Sequence, residues 1–213
     1  ILERAYRAMR LRSLGGRGWY WADEGETYPR PLPGQEPLPA RVFLYRGFAP
    51  STVQVARGPC LKVDLSVRMI QGQTALVKLT TLRDLLIAKH KNEGLPPPTK
   101  EEMLDHLKFQ MAGRTCMTKH NHIHYRIKEV CIDMSPTSTF PFEEGEISYL
   151  EYFQRRHGIT LKRNQPMLHC PFRGKSELYL PAEVALLTGV DEDWRSDREF
   201  AQSLWRGLRH DPT

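Results

Sequence analysis

Strict alternation marks one stretch of the chain, where Leu61, Val63, Leu65, Val67 and Met69 are separated by Lys62, Asp64, Ser66 and Arg68. A side-chain period of two held over that length predicts a β-strand with one apolar face. Two shorter apolar runs upstream, residues 41–46 and 52–56, predict strands as well. The period then lengthens. Leu79, Leu82, Leu85, Leu86 and Lys89 recur at spacings of three and four, which predicts a helix with Thr81 as N-cap, stopped by the Gly-Leu-Pro-Pro-Pro tract of residues 94–98. A second helix opens on Thr99 and Glu102, spaced as a capping box, and runs through Met103, Leu104, Leu107 and Met111 to Gly113. Both helices read as amphipathic.

Residues 115–118 and 124–132 return to β texture, joined by the polar segment 119–122. A helix over residues 147–157 follows, stopped by Gly158, which tolerates the left-handed conformation. Residues 166–172 and 177–180 flank Gly174 as a hairpin that Pro181 closes. Residues 182–187 read as one or two helical turns ending at Gly189, and residues 194–208 as a terminal helix. Residues 28–39 are too rich in Pro and Gly for helix or a central strand, so residues 1–40 read as a surface-following linker. The order of elements predicts an α+β fold in two units, the second carrying most of the chemistry.

Composition narrows the function classes. The chain has 213 residues, 40% of them hydrophobic and 26% charged, enough apolar material for a globular core. No apolar run reaches the length of a membrane span, and the opening residues are too charged for a signal peptide. A start without Met suggests a piece of a longer protein. Cys60, Cys116, Cys131 and Cys170 form no Cys-x-x-Cys pair, so they read as reduced thiols in a cytoplasmic or nuclear protein. The net charge of +6 fits an anionic partner.

Segment 114–181 mixes aromatic residues, among them Tyr125, Phe140, Tyr149, Tyr152 and Tyr179, with Arg126, Arg155, Arg156, Lys162 and Arg163. Single-stranded nucleic acid needs both kinds, because flat rings stack unpaired bases while cations and phenols hold phosphates. The plainer alternative makes the rings core and the cations a solvated face. Tyr149, Tyr152, Phe153 and Arg156 share one broad helical face, with His157 at its end. His120, His122 and His124 alternate as metal ligands do on a strand, although a solvent-exposed His-rich turn is the commoner meaning, and no metal or cofactor is expected. The acidic residues Glu143, Glu144 and Glu146 read as a solvated loop. No nucleophile elbow, P-loop, Gly-x-Gly-x-x-Gly or His-Glu-x-x-His is present in the sequence, so catalysis is not expected of this chain.

Tyr125-Arg-Ile, then Ser138-Thr-Phe140, then Glu151-Tyr-Phe153, Asn164-Gln-Pro166 and Leu180-Pro-Ala-Glu-Val-Ala-Leu-Leu-Thr-Gly189 follow one another in an order and spacing that resembles the PAZ domain of Argonaute proteins. The likeness is to the Piwi branch, and the segment ahead of it resembles the linker that leads into PAZ. The resemblance implies a small OB-like β-barrel with an inserted hairpin and helix, holding the 3′ end of a small guide RNA. By position it implies that Phe140 stacks near the last nucleotide, that Tyr152, Arg156 and Tyr125 contact phosphates, and that Tyr179 and Leu180 line the pocket for the last sugar. Leu178 would lie beside a 2′-O-methyl group. His157 replaces the family's aromatic after the helix cation, and Ile123 replaces a basic residue before the strand tyrosine.

The expected organisation is a linker over 1–40, a β-rich linker unit over 41–75, a PAZ domain with leading helices over 76–190 and a C-terminal helix over 191–213. The expected function is RNA 3′-end binding in small-RNA-guided silencing. Expected partners are the single-stranded RNA end and other domains of the same Argonaute-family chain, with no membrane. The rival is a protein-interaction scaffold that keeps the fold and has lost RNA binding, and a complete small nuclease is a third reading. Slicing, if the whole protein performs it, would lie outside this chain.

Overall fold

The chain's first long hairpin is built by the alternating stretch and the run before it. In the computed structural model, which describes residues 42–143, 145–171, 178–189 and 197–208 together with 4, 6, 8–9, 11–14, 18–21 and 26–28, two compact units separate. One takes residues 1–72 with 188–213, the other residues 73–187. Residues 29–41, 172–177, Glu144 and Trp194 lie outside the described residues, and with them most of the expected linker, the expected hairpin turn and the expected start of the last helix.

The first unit contains β1 (Leu11–Arg12), β2 (Trp19–Trp21), β3 (Glu26–Tyr28), β4 (Val42–Val55) and β5 (Gly58–Thr74). β4 and β5 pair antiparallel without a break from Val42 opposite Gln71 to Val55 opposite Gly58. The two expected strands 41–46 and 52–56 are therefore one. Pro50 sits inside it, where the ribbon is two-stranded and a missing N–H is tolerated. Gly47 is required where β2 crosses, since a Cβ there would stand 2.0 Å from the Trp19 carbonyl oxygen. Helix α4 (Arg198–Leu208) is opened by the Asp197 carboxylate accepting from the Phe200 N–H at 3.0 Å. Its Phe200 and Leu204 bury Val42 and Leu44, with Val67 and Met69 alongside.

In the second unit α1 (Ala75–Asn92) begins six residues before the expected cap. The strand ahead of it runs directly to Thr74, whose Oγ1 accepts from the Val77 N–H, and Thr81 instead donates its hydroxyl to the Val77 carbonyl at 3.0 Å from inside the helix. Helix α2 (Lys100–Met111) has the full capping box, with Thr99 N–H on Glu102 Oε2 at 2.8 Å and Glu102 N–H on Thr99 Oγ1 at 3.2 Å. The expected strand 124–132 is two strands, β7 (His124–Arg126) and β8 (Glu129–Cys131). It breaks because the chain changes partners: Ile127 N–H donates to Arg114 O and Lys128 N–H to His169 O, both at 2.8 Å.

β7 pairs with β6 (Thr115–Thr118), and β8 pairs with β11 (Met167–His169), which pairs in turn with β12 (Tyr179–Pro181). The expected helical turns over 182–187 are a single 3-10 turn, Ala182–Val184, followed by β13 (Ala185–Thr188). Pairing of Ala185 with Thr118 and Leu187 with Cys116 gives this short apolar segment a sheet edge to complete. β9 (Thr139–Phe142) and β10 (Gly145–Ser148) form a separate hairpin leading into α3 (Tyr149–His157). Residues 147 and 148 belong to that hairpin rather than to the helix, because Ile147 pairs with Phe140 and Ser148 caps α3.

The architecture is α+β with antiparallel pairing. The main core of this unit gathers α1 and α2 through Leu79, Leu82, Leu107 and Met111 onto Ile127, Val130, Leu168 and Leu187. A second, smaller core lies under α3.

Candidate functional site

Helix α3 owes its position to its two ends. Ser148 Oγ accepts from the Glu151 N–H at 3.2 Å, and Gly158 closes the helix at φ 66° in the left-handed region. Between them the spacing of three and four puts Tyr149, Tyr152 and Phe153 on one face. Tyr149 and Phe153 bury against Leu161, Met167 and Val184, with Phe140, Tyr152 and Tyr179 packed on the edge of that cluster.

A row of rings results. Phe140 meets Tyr149 at 4.5 Å between centroids and Tyr152 edge-on at 5.4 Å, while Phe142 meets Tyr152 at 5.3 Å. Tyr152 lies 5.8 Å from His157, and His157 lies 4.1 Å from His120. Phe140, Phe142 and Tyr152 are only partly covered, so ring surface remains open to solvent. Such half-exposed rings are what a stacking platform for bases requires.

The histidine end of the row is electrically distinct. Burial, reinforced by the charges of His157 and His122, pushes His120 down to about 4, and its buried Nδ1 has no hydrogen-bond partner. Burial and then the neighbouring Arg156 guanidinium lower His157 too. Both rings are therefore neutral at neutral pH, and an anion placed against them would favour protonation. Arg156 is exposed, whereas the adjacent Arg155 pairs with Glu151 along the helix.

A sequence family's pattern, described as PAZ domain, matches residues 86–204. The chain belongs to the PAZ domain family. It is similar to Protein argonaute-3 of Drosophila melanogaster, 24% identical over 81% of this chain and 20% of that protein. It is also similar to Piwi-like protein 1 of Gallus gallus, 24% identical over 96% of this chain and 22% of that one. The chain thus spans about a fifth of the length of these curated relatives. The crystal structure of Drosophila Piwi superposes on 99% of this chain and 23% of its own with a TM-score of 0.55 at 16% identity, a likeness of fold. The match is to a PAZ domain of the Piwi-like Argonaute kind, as the ordered motifs imply. A PAZ domain is a nucleic-acid-binding module rather than a catalytic one.

Within this PAZ domain the eight residues picked out by sequence fall into three places. Phe140, Tyr152, Arg156 and His157 gather at α3 and the β9–β10 hairpin. Tyr179 joins the edge of the same small core and stacks on His169 at 5.0 Å. Tyr125 is buried in the main core, where burial pushes its phenol up and Asn121 opposes the shift as hydrogen-bond partner; Tyr152 is among the groups it feels. Leu180 is buried in that core opposite Leu168, and Leu178 packs against it.

Phe142 and His120 join the row without having been singled out for it. The i, i+2 spacing of Phe140 and Phe142 ahead of Gly145 is the signal for Phe142, since residues two apart on a strand share a face. For His120 the linear sequence carries none, because the contact with His157 spans the domain. His120, His122 and His124 do not line one strand: residues 119–122 turn, His122 has φ 55°, and only His124 enters β7. Among the described residues no three His, Cys, Asp or Glu side chains converge on a metal position. No helix among them is long and apolar enough to cross a membrane.

Proposed function

We propose that this PAZ domain binds the 3′ end of a single-stranded small guide RNA within a Piwi-like Argonaute acting in small-RNA-guided silencing. The observation that carries the reading is the row of half-exposed rings from Phe142 through Phe140 and Tyr152 to the His157–His120 pair, with Arg156 paired to no carboxylate among the described residues. Phe140 stacks the terminal base, the Tyr152 hydroxyl and Arg156 hold the last phosphate, and His157 adds a contact that strengthens when its ring is charged. Tyr125 adds a further phosphate contact from the edge of the main core, where its phenol feels Tyr152. Tyr179, Leu180 and Leu178 border the last sugar, and Leu178 gives a 2′-O-methyl group an apolar neighbour. The short antiparallel strands β6, β7, β8, β11, β12 and β13 serve as the OB-like barrel behind the site.

The proposed organisation is a linker over 1–40, a β-rich linker unit over 41–75, the PAZ domain with its leading helices over 76–190 and an exit helix over 191–213. Other domains of the same Argonaute chain are its partners, in the cytoplasm or nucleus. Any cleavage by the whole protein belongs to those domains.

Fluorescence anisotropy with a short RNA ending in a 3′-hydroxyl, its 2′-O-methyl twin and its 3′-phosphate twin tests the reading. Binding of the first two with rejection of the third is expected, because an end pocket closes on a chain that stops. Equal binding of all three overturns end recognition, and binding of none leaves a scaffold.

A further inference from the structure

Asn121 sits in the turn that joins β6 to β7. There the Thr118 N–H donates to Ile123 O and the His122 N–H to Thr118 O, both at 3.0 Å, and His122 takes up φ 55° in the left-handed region. Within the turn the Asn121 side chain accepts from the Ile123 N–H at 3.1 Å and from the hydroxyl of Thr118, which is fully buried. A backbone N–H can only donate, so the accepting atom is Oδ1 and the orientation of the amide is fixed. Nδ2 is then the group that Asn121 offers to the Tyr125 phenol, its hydrogen-bond partner on β7.

The sense of that bond has a chemical consequence. Because Nδ2–H donates, the phenol oxygen accepts, and the amide does not engage the phenolic proton. A phosphodiester at neutral pH offers only acceptor oxygens, so a side chain that holds one must bring it a proton. The Tyr125 ring is 8% exposed in the main core and cannot swing to a new partner. Whatever neighbour takes its proton removes the contact in place.

We propose that Asn121 is a positioning residue of the RNA site, which holds the Tyr125 phenol from its acceptor side and so presents the phenolic proton to a phosphate oxygen of the bound strand. The inference rests on the reading of Tyr125 as a phosphate contact and deepens it. One amide has two tasks: Oδ1 closes the turn, and Nδ2 sets the direction of the hydrogen bond on which the RNA contact depends. Asn121→Asp separates them. Its Oδ1 still accepts from Ile123 and Thr118, but its second oxygen carries no proton and takes the one from Tyr125.

Fluorescence anisotropy with a short 3′-hydroxyl RNA on wild type, Asn121→Asp, Tyr125→Phe and the double variant closes a cycle that tests this. Each single substitution should weaken binding about tenfold or more, the scale of a hydrogen bond to a charged group. Added to Tyr125→Phe, Asn121→Asp should weaken it by no more than about fivefold further, the effect of one solvent-screened charge. Thermal melting of Asn121→Asp should stay near wild type, since both turn bonds persist. No loss for Asn121→Asp, or a loss of the same factor in both backgrounds, overturns the proposal, because the amide then acts through its charge or the turn and not through the phenol. Unchanged affinity in Tyr125→Phe overturns it as well, and that arm stands even where Asn121→Asp fails to fold. These results leave end recognition standing so long as wild type prefers the 3′-hydroxyl RNA to its 3′-phosphate twin. A wild type that binds both twins alike while the cycle shows coupling overturns end recognition and leaves the positioning role, and one that binds neither overturns both.

Discussion

Two hairpins in this chain carry similar apolar sequences and meet different fates. In β9–β10 the apolar side chains have a helix to pack against: Ile147 is buried, and Phe140 and Phe142, though half-exposed, lean on Tyr149 and Tyr152 of α3. In the outer half of β4–β5, Leu61, Val63 and Leu65 stay open, Leu65 at 62% exposure, among described residues that offer no covering helix. A two-stranded ribbon is marginal by itself in water, so the covered hairpin gains stability from its helix and the open one from the ladder it continues. Alternation thus predicts that a segment is a strand, but burial depends on what is packed against it.

The comparison is broken most forcefully at Phe153, which is 3% exposed beneath α3. Phe153→Ala should destabilise the PAZ unit by about 3–5 kcal/mol in urea titration, as removal of a buried ring does, and RNA binding should be lost with it. Phe140→Ala removes a ring at the edge instead. It should leave folding largely intact and weaken RNA binding roughly tenfold or more, at about 1–3 kcal/mol per stacked base.

Acid tests the histidine end of the same row. Between the ordinary histidine value of 6.5 and about 4, the unfolded chain binds a proton that folded His120 refuses. Stability should therefore be full above 6.5 and decline as pH falls toward 4, with the slope reduced in His120→Gln. His157 and His122 act on it directly, and Arg156, Lys119, Lys162 and Glu183 line the same cavity as His120. RNA binding should strengthen over the same window, because a phosphate favours the charged rings; anisotropy at pH 7 and 5 measures it.

Ser148→Ala, which removes the cap of α3, should cost about 1 kcal/mol. At the bottom of the scale, Leu65→Ser on the open ribbon should change stability by no more than about 0.5 kcal/mol. A large loss there would mean that the ribbon is covered in solution.

Local features were legible because their causes are local. The Thr99–Glu102 capping box, the left-handed stop at Gly158, the alternating strand through Leu61 to Met69 and the ring face of α3 each depend on residues within one or two turns of one another. The family was legible for a different reason, since several short motifs in fixed order constrain one another. What the sequence could not express was partner choice. Thr81 has the chemistry of a cap, yet Thr74 caps α1 because the preceding strand ends there. Residues 185–188 have an apolar pattern too short to distinguish helix from strand until β6 offers an edge. Lys119 and His120 look like an ordinary polar turn, and only the fold sets them against Arg156, His157 and Lys162, because those contacts join segments some forty residues apart through a cavity that no local pattern encodes.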